Sequence, residues 1–530
     1  MTRETNNHLS AEELAGLPED IRSRITCLAH EYARLSKENT LLAEENRLLR
    51  AKRFAPSTEK SVYLCGQQML FNEAEYHFRT ATEEPSIEQV TIRKKKVPGK
   101  READLAGLPV RRIDYELPED ERICPECTGS LHKMDIDITR ELEYIPAKVC
   151  VVEHATHIYA CRVCEKTAEV TPILRAQSPK PIFAGSLCSA SLLAHIASDK
   201  YLYHLPLYRQ EAAFLHDGIT LSRQTLSNWI VRASEDYLYI ITEKMKERLL
   251  ASSVLLADET GLQVLKEDGR KAQNKSFMWL YRTGADAAHP LIYYEYQPSR
   301  SARCPAKFLE GFKGYLQCDG NKSYQALTGP IEVVCCWAHA RRKFEEALAA
   351  LPEDKREGAE AYRGLSYINA LFALERTYLK MEHDERRRER TEKSVPIAEE
   401  LYAWASSVGA VPKSLLGKAI GYLMDLRPYL MRVFHDGRLE LSNNRAERSI
   451  KPFVMGRKAW LFSNTPRGAN ASAAFFSIIE TAKENGLNVY EYLKYLFEKL
   501  PNISTSEIDS VVPWSDSLPG HVKVPTAYTP

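Results

Sequence analysis

No run of 18 or more apolar residues occurs in this 530-residue chain, so no helix is expected to span a membrane. Nor is there an excess of one charge. Lysine and arginine number 72, aspartate and glutamate 71, for a net of +1. That balance excludes a globally polycationic protein, and any hold on a polyanion has to come from local patches. The N-terminal MTRETNNHLSAEEL lacks the basic segment and apolar core of a secretory signal. A cytoplasmic, reducing location is the resulting expectation. Disulfides are rare there, so clustered members of the twelve cysteines point to metal binding. The isolated Cys27, Cys65, Cys188 and Cys304 are expected as small core side chains. What the chain has in quantity is apolar material, 44% of its residues, enough for several domains with sizeable cores.

Ile21, Leu28, Leu35, Leu42 and Leu49 recur at every seventh position, with Asn39 and Asn46 at intervening a positions and Glu31, Glu38 and Glu45 at g. The pattern predicts a parallel coiled-coil helix within residues 1–52 that makes the protein a homo-oligomer, with Glu45 and Arg50 placed to pair between helices. Residues 53–100 read as a polar, proline-broken linker whose basic cluster, Arg93 to Lys96, continues to Lys100 and Arg101. Cys124-Pro-Glu-Cys127 and Cys161-Arg-Val-Cys164 are paired knuckles, with strand-like sequence at Lys148–Glu153 and His157–Ala160 between them. Four thiolates close a tetrahedral site, so one structural Zn2+ is expected in a zinc-binding domain over 101–175. Residues 176–248 read as helices. Gly218 marks a turn there, Ser222 an N-cap, and Leu226 and Trp229 an apolar face. In a helix-turn-helix, Arg223, Gln224 and Asn228 would face DNA; an ordinary capped helix of a bundle fits the same pattern.

Val254–Ala257 and Gly314–Cys318 are short apolar runs that end in Asp258 and Asp319, as buried strands do when they deliver an acid at the C-terminal edge. Ser276–Arg282 and Leu291–Tyr296 supply the intervening strands of a meander. A third carboxylate, Glu447, stands among Arg445, Arg448, Lys451, Arg457 and Lys458, cations suited to a phosphate backbone. Three carboxylates from separate elements can hold two divalent cations about 3.5–4 Å apart. All-oxygen ligands favour Mg2+ or Mn2+, two per active site. Asn444-x-x-Glu447 also fits a capping box, which would make Glu447 only the start of a helix. The 127 residues between Asp319 and Glu447 exceed one connection, and helical patterning over about 345–440 suggests an insertion. Within it Arg386–Arg388 could meet DNA or solvent. His339, Arg341 and Arg342 follow the strand Ile331–Val334 and suit phosphate contact, proton transfer or a packed helix start. Trp460 is expected in the core or stacked on an unpaired base.

Taken in order, several motifs resemble the transposase family of insertion sequence 66 over nearly the whole chain. They are the leucine repeat, Arg53-Phe54 with Ser57-x-Glu59-Lys60, the paired knuckles, Ala257-Asp-Glu-Thr260, Cys318-Asp-Gly320 and Cys336-Trp-Ala-His339-x-Arg-Arg-Lys-Phe344. The block from Ser442 to Gly468 and Ile479-Glu-Thr-Ala-Lys-Glu-Asn-Gly486 with Trp514 complete the series. Ala55 stands where that family often has glycine. The resemblance implies a multidomain α+β protein. Its zipper, zinc ribbon and helix-turn-helix-like region would precede an RNase H-like α/β catalytic core over 249–480 and a closing segment over 481–530. It implies Asp258, Asp319 and Glu447 as a DDE triad that cuts and joins DNA. The expected partners are the terminal inverted repeats of a bacterial insertion sequence, target DNA and accessory proteins of the same element. Two other readings use the same parts. A non-catalytic zinc-containing DNA-binding regulator would have no use for the three carboxylates, and a metal-dependent nuclease of the same core would cut without joining.

Overall fold

The structure, a computed structural model, describes residues 18–54, 149–160 and 173–524. The knuckle cysteines Cys124, Cys127, Cys161 and Cys164, the linker from residue 55 with Cys65, its basic cluster, and the side chains of Glu45 and Arg50 lie outside the described residues. The chain divides into two compact units, residues 1–92 with 181–524 and residues 93–180 with 525–530. In the smaller unit β1 (Ile158–Ala160) pairs antiparallel with β2 (Ile173–Arg175), Ile158 opposite Arg175. The strand expected around His157–Ala160 is thus present, whereas Val149 to Glu153 forms none.

In the larger unit, α1 (Glu19–Phe54) is one helix of 36 residues that opens on Glu19 and Asp20, acids that suit the positive end of the helix dipole. The seven-residue stripe runs along it with Ile21, Leu28, Leu35, Leu42 and Leu49 all exposed. Cys27 is exposed on the same helix, contrary to the core role expected of it, while Cys188 and Cys304 are buried as expected.

Residues 190–250 are helical. They comprise α2 (Ala190–Tyr201), α3 (Leu207–His216), α4 (Arg223–Ala233) and, after a π turn at Ser234–Leu238, α5 (Tyr239–Leu250). The turn before α4 uses Gly218 at φ 79°, a left-handed conformation that glycine adopts without penalty. Ser222 then caps α4 by accepting the Thr225 N–H at 3.1 Å.

A five-stranded sheet follows, built from β3 (Val254–Gln263), β4 (Lys275–Thr283), β5 (Ile292–Gln297), β6 (Gly314–Cys318) and β7 (Ile331–Cys335). Short helices α6 (Arg303–Phe308) and α7 (Lys322–Gln325) lie in its connections. The strand order is β5-β4-β3-β6-β7. The first three strands are an antiparallel meander, and β6 and β7 add in parallel to β3. The meander corrects one expectation: β3 does not end at Asp258. Its antiparallel partner β4 stays in register as far as Gln263 opposite Lys275, so pairing carries the strand through the polar Glu259 and Thr260. Asp258 is mid-strand, although pairing with β6 stops just before it. Asp319, by contrast, follows directly on the last residue of β6.

Alternation along the strands sorts the sheet's two faces. Leu256, Leu262, Met278, Leu280 and Tyr294 belong to one core, packed under α14 (Asn444–Trp460), α15 (Pro466–Glu484) and α16 (Val489–Lys499). Leu255, Ala257, Trp279, Tyr281, Leu316 and Cys318 belong to the other, with Phe308 of α6 and Tyr324 of α7. The edge strand β5 is covered by α15. Thr481 and Ser477 accept its Ile292 and Tyr294 N–H groups at 3.0 and 2.8 Å, which leaves less free edge to recruit another chain.

Between β7 and α14 the regular structure is entirely helical. It runs through α8 (Trp337–Ala349), α9 (Glu360–Tyr378), α10 (His383–Glu389), α11 (Val395–Ser407), α12 (Leu415–Asp425) and α13 (Arg427–Leu430) around a core of its own. Arg386 of α10 is spent inside this region, donating to the carbonyls of Tyr378 and Gly437 at 3.2 Å each.

Glu295 of β5 lies on the α6 side of the sheet. Its Oε2 is buried without a hydrogen-bond partner, and burial pushes its carboxyl up to about 7, only partly offset by Gln297, Lys246 and Lys307. A folded-state pKa above the unfolded value contributes stability at low pH that is lost as pH rises through about 7. Glu295→Gln should therefore be more stable than the wild type at pH 8 by about 1–3 kcal/mol and match it near pH 4, as measured by urea unfolding at the two pH values.

Candidate active site

Parallel pairing of β3 with β6 sets Val254 beside Tyr315, Leu255 beside Leu316 and Leu256 beside Gln317. Continued by two residues, the same register brings Asp258 beside Asp319. Both acids belong to the face that α14 crosses. Asp258 alternates with Leu256 and Thr260, and Asp319 with Gln317, whose amide reaches toward α14. Asp319 is 8% exposed and its Oδ1 accepts the Asn321 N–H at 3.0 Å, a local turn that fixes the carboxyl at the strand end. Next to Asp319, a Cβ at Gly320 would lie 2.6 Å from Leu426 Cδ1 and Tyr422 Oη, so those side chains would have to shift to admit it.

The neighbouring acid, Glu259, has a different task. It points to the opposite face, 1% exposed, where Arg300 Nε (2.8 Å), Asn321 Nδ2 (2.8 Å) and Tyr324 Oη (2.6 Å) all donate to it. A carboxylate so fully engaged ties α7 and the Arg300 loop to the sheet.

The start of α14, which carries Glu447 in its first turn, is fixed at several points. Gln317 reads the Glu440 backbone in both directions, donating to its carbonyl at 2.5 Å and accepting its N–H at 3.0 Å. Asn443 donates from Nδ2 to the Ala257 carbonyl at 2.9 Å, one residue from Asp258. Arg282 of β4 donates to Ser449 and forms an ion pair with Glu484 at 3.2 Å. The N-cap is Asn443, with its side chain spent on Ala257, so the capping box expected at Asn444 is not how this helix starts. Glu447 is instead directed to His339 of α8, with Oε1 3.8 Å from Nδ1.

Two of the cations expected on phosphate are used internally. Arg457 is 1% exposed and donates to Thr260 Oγ1 at 3.0 Å and to the Gly261 carbonyl, pinning the far half of α14 to β3. Arg445 clasps Glu440 with Nε to Oε2 at 3.0 Å and Nη2 to Oε1 at 2.9 Å. Arg448 and Lys458 are exposed and Lys451 half-buried. Trp460 packs against Phe453, Phe476 and Tyr201, with Lys200 Nζ 4.5 Å above its ring, which is the core role. In α4, Arg223, Gln224 and Asn228 are exposed while Leu226 and Trp229 are buried.

Asp319 and His339 open into a cleft with an empty volume of about 870 Å3, continuous with solvent and lined also by Lys322, Arg342 and Lys343. Lys322 carries no motif of its own, and only the fold brings it to the cleft beside Asp319. Arg341, by contrast, turns into the helical insertion, where it meets Asn369 at 2.7 Å and Glu345 at 2.5 Å. Among the described residues, only Cys336, His339 and Glu447 bring three such ligand atoms within 4.8 Å of one another. Asp258, Asp319 and Glu447 do not form a group that tight.

Comparison with known proteins places this site in a mobile-element protein. The model described as Transposase IS66 family matches residues 185–471, which contain all three acids. The zinc-finger binding domain of transposase IS66 matches 121–165, which contain all four knuckle cysteines. The IS66 C-terminal element matches 477–514, and the domain described as Transposase C of IS166 homeodomain matches 41–113. The chain belongs to the IS66 transposase family. It is 30% identical to the uncharacterized protein y4jD of Sinorhizobium fredii (strain NBRC 101917 / NGR234) over 76% of this chain and 80% of that one. It is 31% identical to the uncharacterized protein y4qI of the same strain, over 76% of this chain and 74% of that one. No helix among the described residues is long and apolar enough to cross a membrane.

Proposed function

We propose that this protein is a DDE-type DNA transposase, which cleaves phosphodiester bonds at the terminal inverted repeats of its insertion sequence and transfers the freed strand to target DNA. The observation that supports the reading is the β3–β6 register, which, continued by two residues, would bring Asp258 beside Asp319, with α14 and its Glu447 packed on the same strand β3. A meander of three strands extended by two parallel ones, with acids on the first strand, just after the fourth and on a later helix, supports the reading of an RNase H-like core.

In this reading Asp258 and Asp319 would offer their oxygens from the sheet and Glu447 from a helix whose start is held by Gln317, Asn443 and Arg282. The donor set is all carboxylate oxygen, and Asp319 lines an open cleft, which fits Mg2+ or Mn2+. Two such ions bound here would supply Lewis-acid activation of the attacking water or 3′-hydroxyl and stabilise the departing oxygen. Lys322, Arg342 and Lys343 in the cleft, with Arg448, Lys451 and Lys458 on α14, are suited to steer and hold backbone phosphates.

The zinc finger supplies the structural zinc, through Cys124, Cys127, Cys161 and Cys164. The exposed leucine stripe of α1 pairs protomers so that two element ends are processed together, and accessory proteins of the element and a cytoplasmic location complete the picture. Incubating the full chain with its own end sequence and Mg2+ should give strand-specific nicks at the element boundary and joined products. DNA bound without cutting under Mg2+ or Mn2+ would favour a regulator instead.

The α3–α4 pair is the base-reading element of this proposal. Arg223→Ala and Asn228→Ala should each weaken binding to the end sequence by about 1–3 kcal/mol while leaving binding to unrelated duplex almost unchanged, as read by fluorescence anisotropy at fixed salt.

A further inference from the structure

Glu447 has a second set of neighbours that the carboxylate site does not use. Cys336 is the N-cap of α8 and His339 lies one turn on, a spacing that puts both on one side of the helix start. The sulfur, the imidazole nitrogen and a Glu447 oxygen all lie within 4.8 Å of one another. The three side chains come from two elements held together by Asn443, whose N–H donates to Cys336 Sγ at 3.1 Å and whose amide anchors α14 to β3. The backbone N–H groups of Ala338 and His339 favour the thiolate in the same way. Burial and the charge of Glu447 oppose it and push the thiol up to about 12, so without a cation Cys336 keeps its proton. One sulfur, one nitrogen and one oxygen make a mixed, softer donor set than three carboxylates. It matches the three-ligand, open-position zinc centre and matches magnesium poorly.

We propose that Cys336, His339 and Glu447 form a second zinc site, separate from the zinc finger, and that zinc held there withdraws Glu447 from the carboxylate centre and inhibits the protein. Zinc bonds to sulfur, nitrogen and oxygen. The thiol proton passes to solvent, and no electron changes hands. A dication at this point also cancels the repulsion between thiolate and carboxylate that disfavours the charged sulfur. The ligand exchange makes Glu447 a shared residue, and occupancy of the two centres is mutually exclusive. The inhibitory consequence rests on the function proposed above; the binding itself does not.

The full-length chain, stripped of metal and reloaded with Zn2+, should hold two zinc ions per chain after desalting, and Cys336→Ser and His339→Gln one each. Co2+ loading should give a sulfur-to-cobalt absorption band whose intensity falls in Cys336→Ser by the share of this site's single thiolate. One zinc per wild-type chain, or an unchanged count in both variants, overturns the site, and the wild-type count decides this even if a variant fails to fold. In Mg2+-supported cleavage, Zn2+ should inhibit the wild type at a concentration at least about tenfold below that needed for Cys336→Ser, each measured against its own zinc-free rate. Equal inhibition overturns the regulatory role. Absence of cleavage in every protein tells against the proposed function and leaves the zinc count as the test of the site.

Discussion

Replacing Asp258, Asp319 or Glu447 by alanine is expected to lower the rate of end cleavage by at least about 10³-fold, the equivalent of ~4 kcal/mol of transition-state stabilisation. Binding of end DNA should stay within about threefold of wild type, because the phosphate and base contacts proposed above lie on other side chains. The size of the effect follows from geometry. The β3–β6 register, continued by two residues, would bring Asp258 beside Asp319, and Glu447 sits on a helix whose start is fixed to the same two strands, so each acid of the proposed centre comes from a separately held element. Glu259 is the internal control. It adjoins Asp258 in sequence but is saturated by Arg300, Asn321 and Tyr324 on the other face. Glu259→Gln should reduce the folded fraction in thermal unfolding and leave the rate per folded molecule close to wild type. A triad variant that cuts at the wild-type rate, or a Glu259→Gln protein that folds fully yet cannot cut, would reverse the assignment of these neighbouring acids.

The second large effect is expected far from the acids. Arg390, wholly buried, forms an ion pair with Glu375 and donates to the carbonyls of Val433, Asp436 and Leu439 at 3.0, 2.8 and 2.8 Å. These carbonyls belong to the segment that leaves the helical insertion and runs into Glu440, where Gln317 and Arg445 take hold of it. Arg390→Met leaves a partly buried carboxylate and three carbonyls without their donor, and should cost about 3–5 kcal/mol. The double change Arg390→Met with Glu375→Leu should recover much of that loss, since removing both charges also removes the desolvation penalty. Denaturant unfolding of the two variants checks both statements. A single variant within about 1 kcal/mol of wild type would mean that the clamp carries little of the stability.

The parts of the molecule written as local periodicity were legible in the sequence. The heptad helix, the capped helix after Gly218, the meander segments and the helical stretch before Glu447 all follow from spacing that nearby residues set. Residue functions that depend on a distant partner were not legible. The polar Glu259 and Thr260 look like a strand end until β4 is seen to pair with them. Arg457 looks like a phosphate contact until Thr260 and Gly261 are found under it, nearly two hundred residues earlier in the chain. Arg445 is a similar case, claimed by Glu440 just outside its helix. Lys322 carries no signature at all, and the fold brings it to one cleft with Lys343 of the Cys336–Phe344 motif through the parallel strands β6 and β7. Cys336-x-x-His339 reads as half a metal site along the chain, and the fold adds Glu447 from more than a hundred residues away.

The central claim is that Asp258, Asp319 and Glu447 converge on one divalent-cation centre. Iron-directed backbone cleavage measures this in a single experiment. Fe2+ is substituted for Mg2+ in the full chain, ascorbate and peroxide are added, and the protein cuts are mapped by mass spectrometry. Fragmentation should concentrate within a few residues of positions 258, 319 and 447 together, fade as Mg2+ is added, and weaken at all three positions when any one of the acids is changed to alanine. Cuts confined to the zinc-finger region, or cuts at one of the three positions that persist when the other two acids are removed, would contradict it.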